Sequence, residues 1–331
     1  TQCHAVHGWP NNASPSTDYN WLLADAEENL CFTCHDGAPV AVNVRGDFLK
    51  TYKHPATSYS GRHQPNESAS SAFETSNRHA ECTDCHNPHQ AEGPSSGSAP
   101  PTISALLKGT SGVAVTNGAA GTTPTYTFLT SAQYEYQVCF KCHSSWTSQP
   151  SGQTNLALKL NPNNPSYHPV EAAGKNTGIN VNAFVNGWSS SSLTYCSSCH
   201  GSDGTVRGVH GSANQYILKR PFSPSSAQRT MSTNDLCFLC HRYDTYANDN
   251  ATTTVKGYSR FNPPAFTKGH TFHVGNRGYP CGACHETHGS TTRPHLIVTG
   301  RTPGLTNYTH SSNGGTCYPT CHGSKTYTVN Y

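Results

Sequence analysis

The chain is 331 residues long with a formal net charge of +3, 12% charged and 34% hydrophobic residues, 15 cysteines and 20 histidines. Ordinary domains carry about 45–50% apolar and about 25% charged residues, so neither a Leu/Ile/Val core nor a basic nucleic-acid surface fits this composition. No stretch reaches the ~20 apolar residues of a membrane helix, and with no secretory leader legible the chain reads as processed.

The chain opens Thr1-Gln2-Cys3-His4-Ala5-Val6-His7-Gly8. Trp21, Leu22, Ala26 and Leu30 recur at helical spacing and predict a helix over 18–35, ending on Cys31-Phe32-Thr33-Cys34-His35. His54-Pro55 follows, then His63 and His79, then Cys82-Thr83-Asp84-Cys85-His86 with His89 just downstream. Segment 91–125 is rich in Gly, Ser, Thr and Pro and reads as loop, with a small hairpin around 113–128. Thr130 with Gln133 matches a capping box for a helix into Cys139-Phe140-Lys141-Cys142-His143. Segment 144–166 reads as a second loop, before His168-Pro169 and Cys196-Ser197-Ser198-Cys199-His200, with His210 in Val-His-Gly. Ser232 or Thr233 suits the cap of a turn into Cys237-Phe238-Leu239-Cys240-His241. His270 and His273 precede Cys281-Gly282-Ala283-Cys284-His285, which His288, His295 and His310 follow. A stretched Cys317-Tyr318-Pro319-Thr320-Cys321-His322 ends the series.

C-x-x-C-H is the attachment signature of c-type haem. Two thiolates add to the vinyl groups, and the adjacent histidine becomes the first axial ligand of the iron. A disulfide framework explains the cysteines and a zinc ribbon explains paired C-x-x-C, but neither calls for a histidine after every second cysteine. The motifs alternate between two kinds. Those at Cys31, Cys139, Cys237 and Cys317 have an aromatic after the first cysteine; those at Cys82, Cys196 and Cys281 have a small or polar residue there and a further histidine downstream. Cys3-His4-Ala5-Val6-His7-Gly8 fits as the first member of the second kind, through a cysteine before Thr1 or a single thioether at Cys3. The expectation is eight haems, seven from complete motifs, in four tandem doublets over about 1–81, 82–195, 196–280 and 281–331.

The first axial ligands are then His4, His35, His86, His143, His200, His241, His285 and His322. Met231 is the only methionine, so Met/His ligation serves at most one iron. Second ligands recur in register: His7, His89, His210 and His288 downstream of the small-residue motifs, and His54 and His168, each 28 residues before a following motif. His270 or His273 supplies a seventh. The eighth comes from the spares, which are His63, His79, His295, His310 and the unused member of the 270/273 pair, or from another subunit.

With eight haems shared over 331 residues, about 41 each, flat porphyrin faces take the place of an aliphatic core. The expected fold is mostly coil with few short helices and little strand, wrapped around a haem stack. Loops of this length are unusual inside a compact domain, which suggests that they lie over haem or against a neighbouring subunit. Phe32, Phe140, Phe238 and Tyr318 are expected to pack on porphyrin edges. Haem propionates would make the loaded protein acidic.

The doublets, the Cys-His-Asn-Pro-His and Cys-His-Glu-Thr-His-Gly strings and the His-Pro pairs resemble the doubled-motif multihaem cytochromes of metal- and sulfur-metabolising prokaryotes. Within that group the chain is similar to the outer-surface cytochromes that polymerise into haem nanowires. The resemblance implies electron transport rather than catalysis, at the cell exterior or in the periplasm. It also implies a homopolymer in which an axial histidine can cross the subunit boundary, with redox proteins or extracellular acceptors as partners. A monomeric periplasmic shuttle is the chemically identical alternative. A nitrite, hydroxylamine or tetrathionate reductase is the rival, but it needs an iron with an open position, sometimes marked by lysine in the motif, and no C-x-x-C-K occurs.

Overall fold

The computed structural model describes residues 3–4, 25–57, 80–93, 98–147, 153–262 and 268–329. Turns and irregular segments dominate, joined by short helices and small antiparallel strand pairs. No described helix is long and apolar enough to cross a membrane. The chain forms two compact units, one of Thr1–Thr116, Thr125–Asn155 and Tyr195–Lys219, the other of Asn117–Pro124, Leu156–Thr194 and Arg220–Tyr331.

In the first unit, α1 (Glu27–His35) has two acids in its first turn and His35 in its last, the polarity a helix dipole favours. Residues 18–24 of the expected helix lie outside the described ones. The Asn43 side chain caps α2 (Val44–Phe48), accepting from the Gly46 N–H at 2.7 Å. Phe32, Phe48 and Ala56 make a small apolar cluster. The expected hairpin forms from β2 (Gly112–Thr116) and β3 (Thr125–Leu129), with Val113 opposite Phe128. The helix into Cys139, α4 (Glu135–His143), starts later than the Thr130/Gln133 box implied. Ile103 donates to the Gln133 carbonyl at 2.8 Å and Thr102 bridges Tyr134, which holds Gln133 outside the helix. Gln137 is the residue that reaches back, accepting from the Gln133 and Tyr134 N–H groups at 2.8 and 3.1 Å.

In the second unit the expected loop 144–166 contains α5 (Leu156–Leu160), anchored by buried Ala157 and Leu160. The turn into Cys237 is a 3₁₀ segment, Leu236–Leu239, whose N-cap position is Asp235 rather than Ser232 or Thr233. Asp235 is diverted to accept from the Ser232 N–H at 2.8 Å. Met231, Phe238, Ala247 and Val274 form its apolar cluster. At the C-terminal end β7 (Leu305–Ser311), β8 (Gly314–Pro319) and β9 (Lys325–Thr328) make an antiparallel meander.

Buried asparagines do the work that regular structure does elsewhere. Asn262 donates to the Thr245 and Lys256 carbonyls at 2.8 and 3.0 Å and accepts from the Thr271 N–H at 3.1 Å. Asn164 donates to Leu158 and Lys159 at 2.7 and 3.0 Å and accepts from Gly121 at 3.1 Å. A buried carbonyl must be paired, and one side-chain amide satisfies several at once.

Glu171 is paired less completely than these asparagines. Its Oε2 accepts from Asn117 at 2.7 Å, its Oε1 is buried without a partner, and burial pushes the carboxyl up to about 7. Between the ordinary value of 4.5 and about 7 the unfolded chain loses this proton while the folded chain keeps it, so stability falls as pH rises through that window. Glu171→Gln is therefore expected to be more stable than the parent by up to about 3 kcal/mol at pH 8 and indistinguishable from it at pH 4, read by denaturant titration at both pH values.

Candidate functional site

The motif spacing is that of one helical turn. In the motifs starting at Cys82, Cys196, Cys237 and Cys281 the histidine N–H returns to the first cysteine's carbonyl, at 2.8, 3.0, 3.0 and 2.9 Å. Residues i, i+3 and i+4 share a helix face, so both thiols and the imidazole emerge on one side. The motifs at Cys31 and Cys139 achieve this at the ends of α1 and α4. The stretched motif cannot: Cys317 lies in β8, paired with Tyr308 and Lys325, and Cys321 and His322 follow in a bend.

The first cysteines come together across motifs. Cys31 neighbours Cys82, Cys139 neighbours Cys196 and Cys281 neighbours Cys237, each pair within hydrogen-bonding reach, and no cysteine is in a disulfide. Glu27 clamps the first of these junctions, accepting from the Thr83 N–H and hydroxyl at 2.8 and 2.7 Å. Glu135 clamps the second identically, accepting from the Ser197 N–H and hydroxyl at 2.9 and 2.7 Å. Glu135, Cys139 and Cys196 form the one trio of metal-ligating spacing among the described residues. The repeated clamp explains this carboxylate without an ion, since both oxygens are engaged. Sequence reasoning passed over these acids, although each stands four residues before an aromatic-type motif.

Two imidazoles on opposite faces of one metal, with metal–nitrogen bonds of about 2.0–2.1 Å, have ring centres about 6 Å apart. Among the described residues five histidine pairs come near that distance: His4–His89 at 5.9 Å, His86–His210 at 6.1 Å, His54–His143 at 6.3 Å, His270–His285 at 6.1 Å and His273–His322 at 6.2 Å. Each joins a histidine that directly follows a motif cysteine to one that does not. His168 and His241 are electrostatic neighbours whose Nδ1 atoms are buried without hydrogen-bond partners. Both members of the 270/273 pair are engaged, each with a different motif histidine. His310 lies instead against His295, at 5.4 Å and 63°. His7, His63 and His79 lie outside the described residues.

Backbone carbonyls aim the rings. His86, His200, His285 and His322 direct Nδ1 to the carbonyls of Leu106, Tyr216, His295 and Gly323 at 2.9, 2.8, 2.9 and 2.7 Å. His54 and His273 do so to Val209 and Gly269 at 2.6 and 2.9 Å. A carbonyl only accepts, so Nδ1 carries the proton and Nε2 presents a lone pair, which is the metal-ready tautomer. Desolvation holds His210, His241 and His270 neutral, pushing them down to about 4, 4 and 3.

The surrounding backbone repeats. β1 (Tyr52–Lys53) pairs with β5 (Gly211–Ser212), and β4 (Ser166–Tyr167) pairs with β6 (Gly289–Ser290). His54 donates its N–H to the His210 carbonyl at 3.1 Å, and His168 donates to His288 at 2.8 Å. The Thr287 carbonyl faces His168 as Val209 faces His54, short of hydrogen-bond geometry. Phe32, Phe140 and Phe238 are buried beside the motifs, whereas Tyr318 is exposed. Met231 sits in the apolar cluster with Phe238. No protein-family description, curated protein or solved structure matches the chain.

Proposed function

We propose that this protein is an electron carrier holding eight c-type haems, each covalently attached at a cysteine-histidine motif and ligated by two histidines. The observation that carries the reading is the set of five histidine pairs, each a motif histidine facing a non-motif histidine at 5.9–6.3 Å. A bound haem supplies a one-electron couple whose potential follows its axial ligands and burial. The chain's task is to fix the rings. The motif cysteines would tether each haem, the carbonyls set the imidazole tautomers, and the paired histidines would ligate its iron from both sides.

The ligand set runs in two series. His54, His168 and His273 belong to the aromatic-type irons of His143, His241 and His322. His89 and His210 belong to the small-residue irons of His4 and His86, and His270 to that of His285. His7 and His288 complete the eight. With His273 facing His322, the iron that the sequence left short of a ligand needs none from a second copy. Six-coordinate irons leave substrate nowhere to bind, which favours electron transport over a reductase. Two imidazoles keep the potentials low, because methionine ligation is what raises them.

We infer that the carrier works outside the cytoplasmic membrane as the subunit of a homopolymer, passing electrons to redox proteins or extracellular acceptors. This assembly rests on the resemblance of the motifs and long linkers to filament-forming cytochromes. Electron microscopy of the purified protein separates a filament from a monomeric shuttle. Intact mass and low-temperature EPR test the haem reading: eight haems and only low-spin ferric signals are expected. High-spin signal from more than one haem would overturn it.

A further inference from the structure

His295 and His310 are in ring contact, and neither follows a motif cysteine. On the axial assignment above, with which this inference stands, neither is needed by an iron. Their geometry also differs from the axial pairs. A ring centre lies about 3.2 Å from a metal bound through nitrogen, so the 5.4 Å separation corresponds to an angle of about 115° at a shared ion. The same relation gives about 135–160° for the five motif pairs at 5.9–6.3 Å. The 295/310 pair thus has the spread of two ligands on a tetrahedral ion.

The loop itself does not explain the imidazole of His295. This residue orients His285 through its backbone carbonyl, and the corresponding carbonyls for His86 and His200 come from Leu106 and Tyr216. Tyr216 and His295 share the same left-handed backbone, with φ of 62° and 57°. Any side chain can accompany that carbonyl, so the histidine is free to serve elsewhere. His310 projects from strand β7 and is exposed, while His295 is half-buried. The open side leaves room for water to complete a coordination sphere.

We propose that His295 and His310 bind a divalent transition cation of the zinc, nickel or copper class through their two imidazoles and solvent. Imidazole suits these ions, and binding in this series strengthens towards copper. His295 would then hold the ion through its side chain while its backbone carbonyl orients His285.

The test is titration of the fully haem-loaded protein with Zn²⁺ alone by calorimetry, comparing the parent with His310→Ala and with His295→Tyr. The tyrosine variant copies the sister loop and retains the carbonyl. The parent is expected to bind one Zn²⁺ at least tenfold more tightly than either variant, with haem content and low-spin spectra unchanged in His310→Ala. Equal Zn²⁺ binding by parent and variants overturns the proposal. So does a high-spin haem in His310→Ala, which would make His310 an axial ligand. A parent lacking haem by intact mass would instead overturn the electron-carrier reading, and the two failures are therefore distinguishable.

Discussion

Replacing His273 with alanine is expected to turn one ferric haem from low spin to high spin, and replacing His270 to do the same to a different haem. His273 faces His322 at 6.2 Å and His270 faces His285 at 6.1 Å, so each variant should strip one axial ligand from one iron of eight. The double variant should show two high-spin haems, with the haem count unchanged because the thioethers remain. Low-temperature EPR measures this directly. If His322 took its second ligand from another copy, His273→Ala would leave every haem low spin. The local backbone explains how histidines three residues apart face different motif histidines. Thr271–Asn276 forms a π-helical turn, with Arg277 donating to the Phe272 carbonyl at 2.9 Å. A regular α-turn sets residues i and i+3 on one face; the widened turn and Phe261, in ring contact with both histidines, accompany their divergence.

What could be read from the sequence follows from where the chemistry resides. The proposed covalent attachment draws its thiols and imidazole from residues close together in the chain, so the motifs are contiguous and legible even at Cys317, which lies in a strand. The proposed second ligands are legible where a local string repeats, as at His54 and His168 before proline or His210 and His288 before Gly-Ser. At His270 and His273 one ligand was expected from the pair, because nothing in the spacing announces a π-turn. The carbonyls of Leu106, Tyr216 and His295 left no trace, since a backbone oxygen has no side-chain signature. The clamp acids Glu27 and Glu135 looked like ordinary first-turn acids, and only their distance partners, Thr83 and Ser197, reveal the role. The Thr130/Gln133 box misled because a bridge from Thr102 to Tyr134 holds that stretch extended, a tertiary contact that local propensity does not contain.

Gly211→Ala and Gly289→Ala are expected to rank among the most damaging single substitutions at the described residues. Each glycine follows a non-motif histidine and pairs with a strand leading into a His-Pro, Gly211 opposite Lys53 and Gly289 opposite Tyr167. A Cβ at Gly211 would overlap the Asp47 carbonyl, and one at Gly289 would overlap the Lys159 carbonyl. Both obstacles are backbone at α2 and α5, so no rotamer change relieves them. The strands must separate, which costs about 3 kcal/mol or more. At Gly211 the same movement breaks the His54 N–H bond to the His210 carbonyl and the Nδ1 bond to Val209, loosening the ligands that face His143 and His86. Two haems should then gain high-spin character. At Gly289 the His168 N–H bond to His288 is lost in the same way. Gly174, whose added Cβ would meet nothing within 4 Å, is the control and should change stability by no more than about 0.5 kcal/mol. Denaturant midpoints and EPR on the three variants separate a steric requirement at the bridges from a general intolerance of alanine: equal midpoints for all three would mean the strand pairs do not hold these histidines in place.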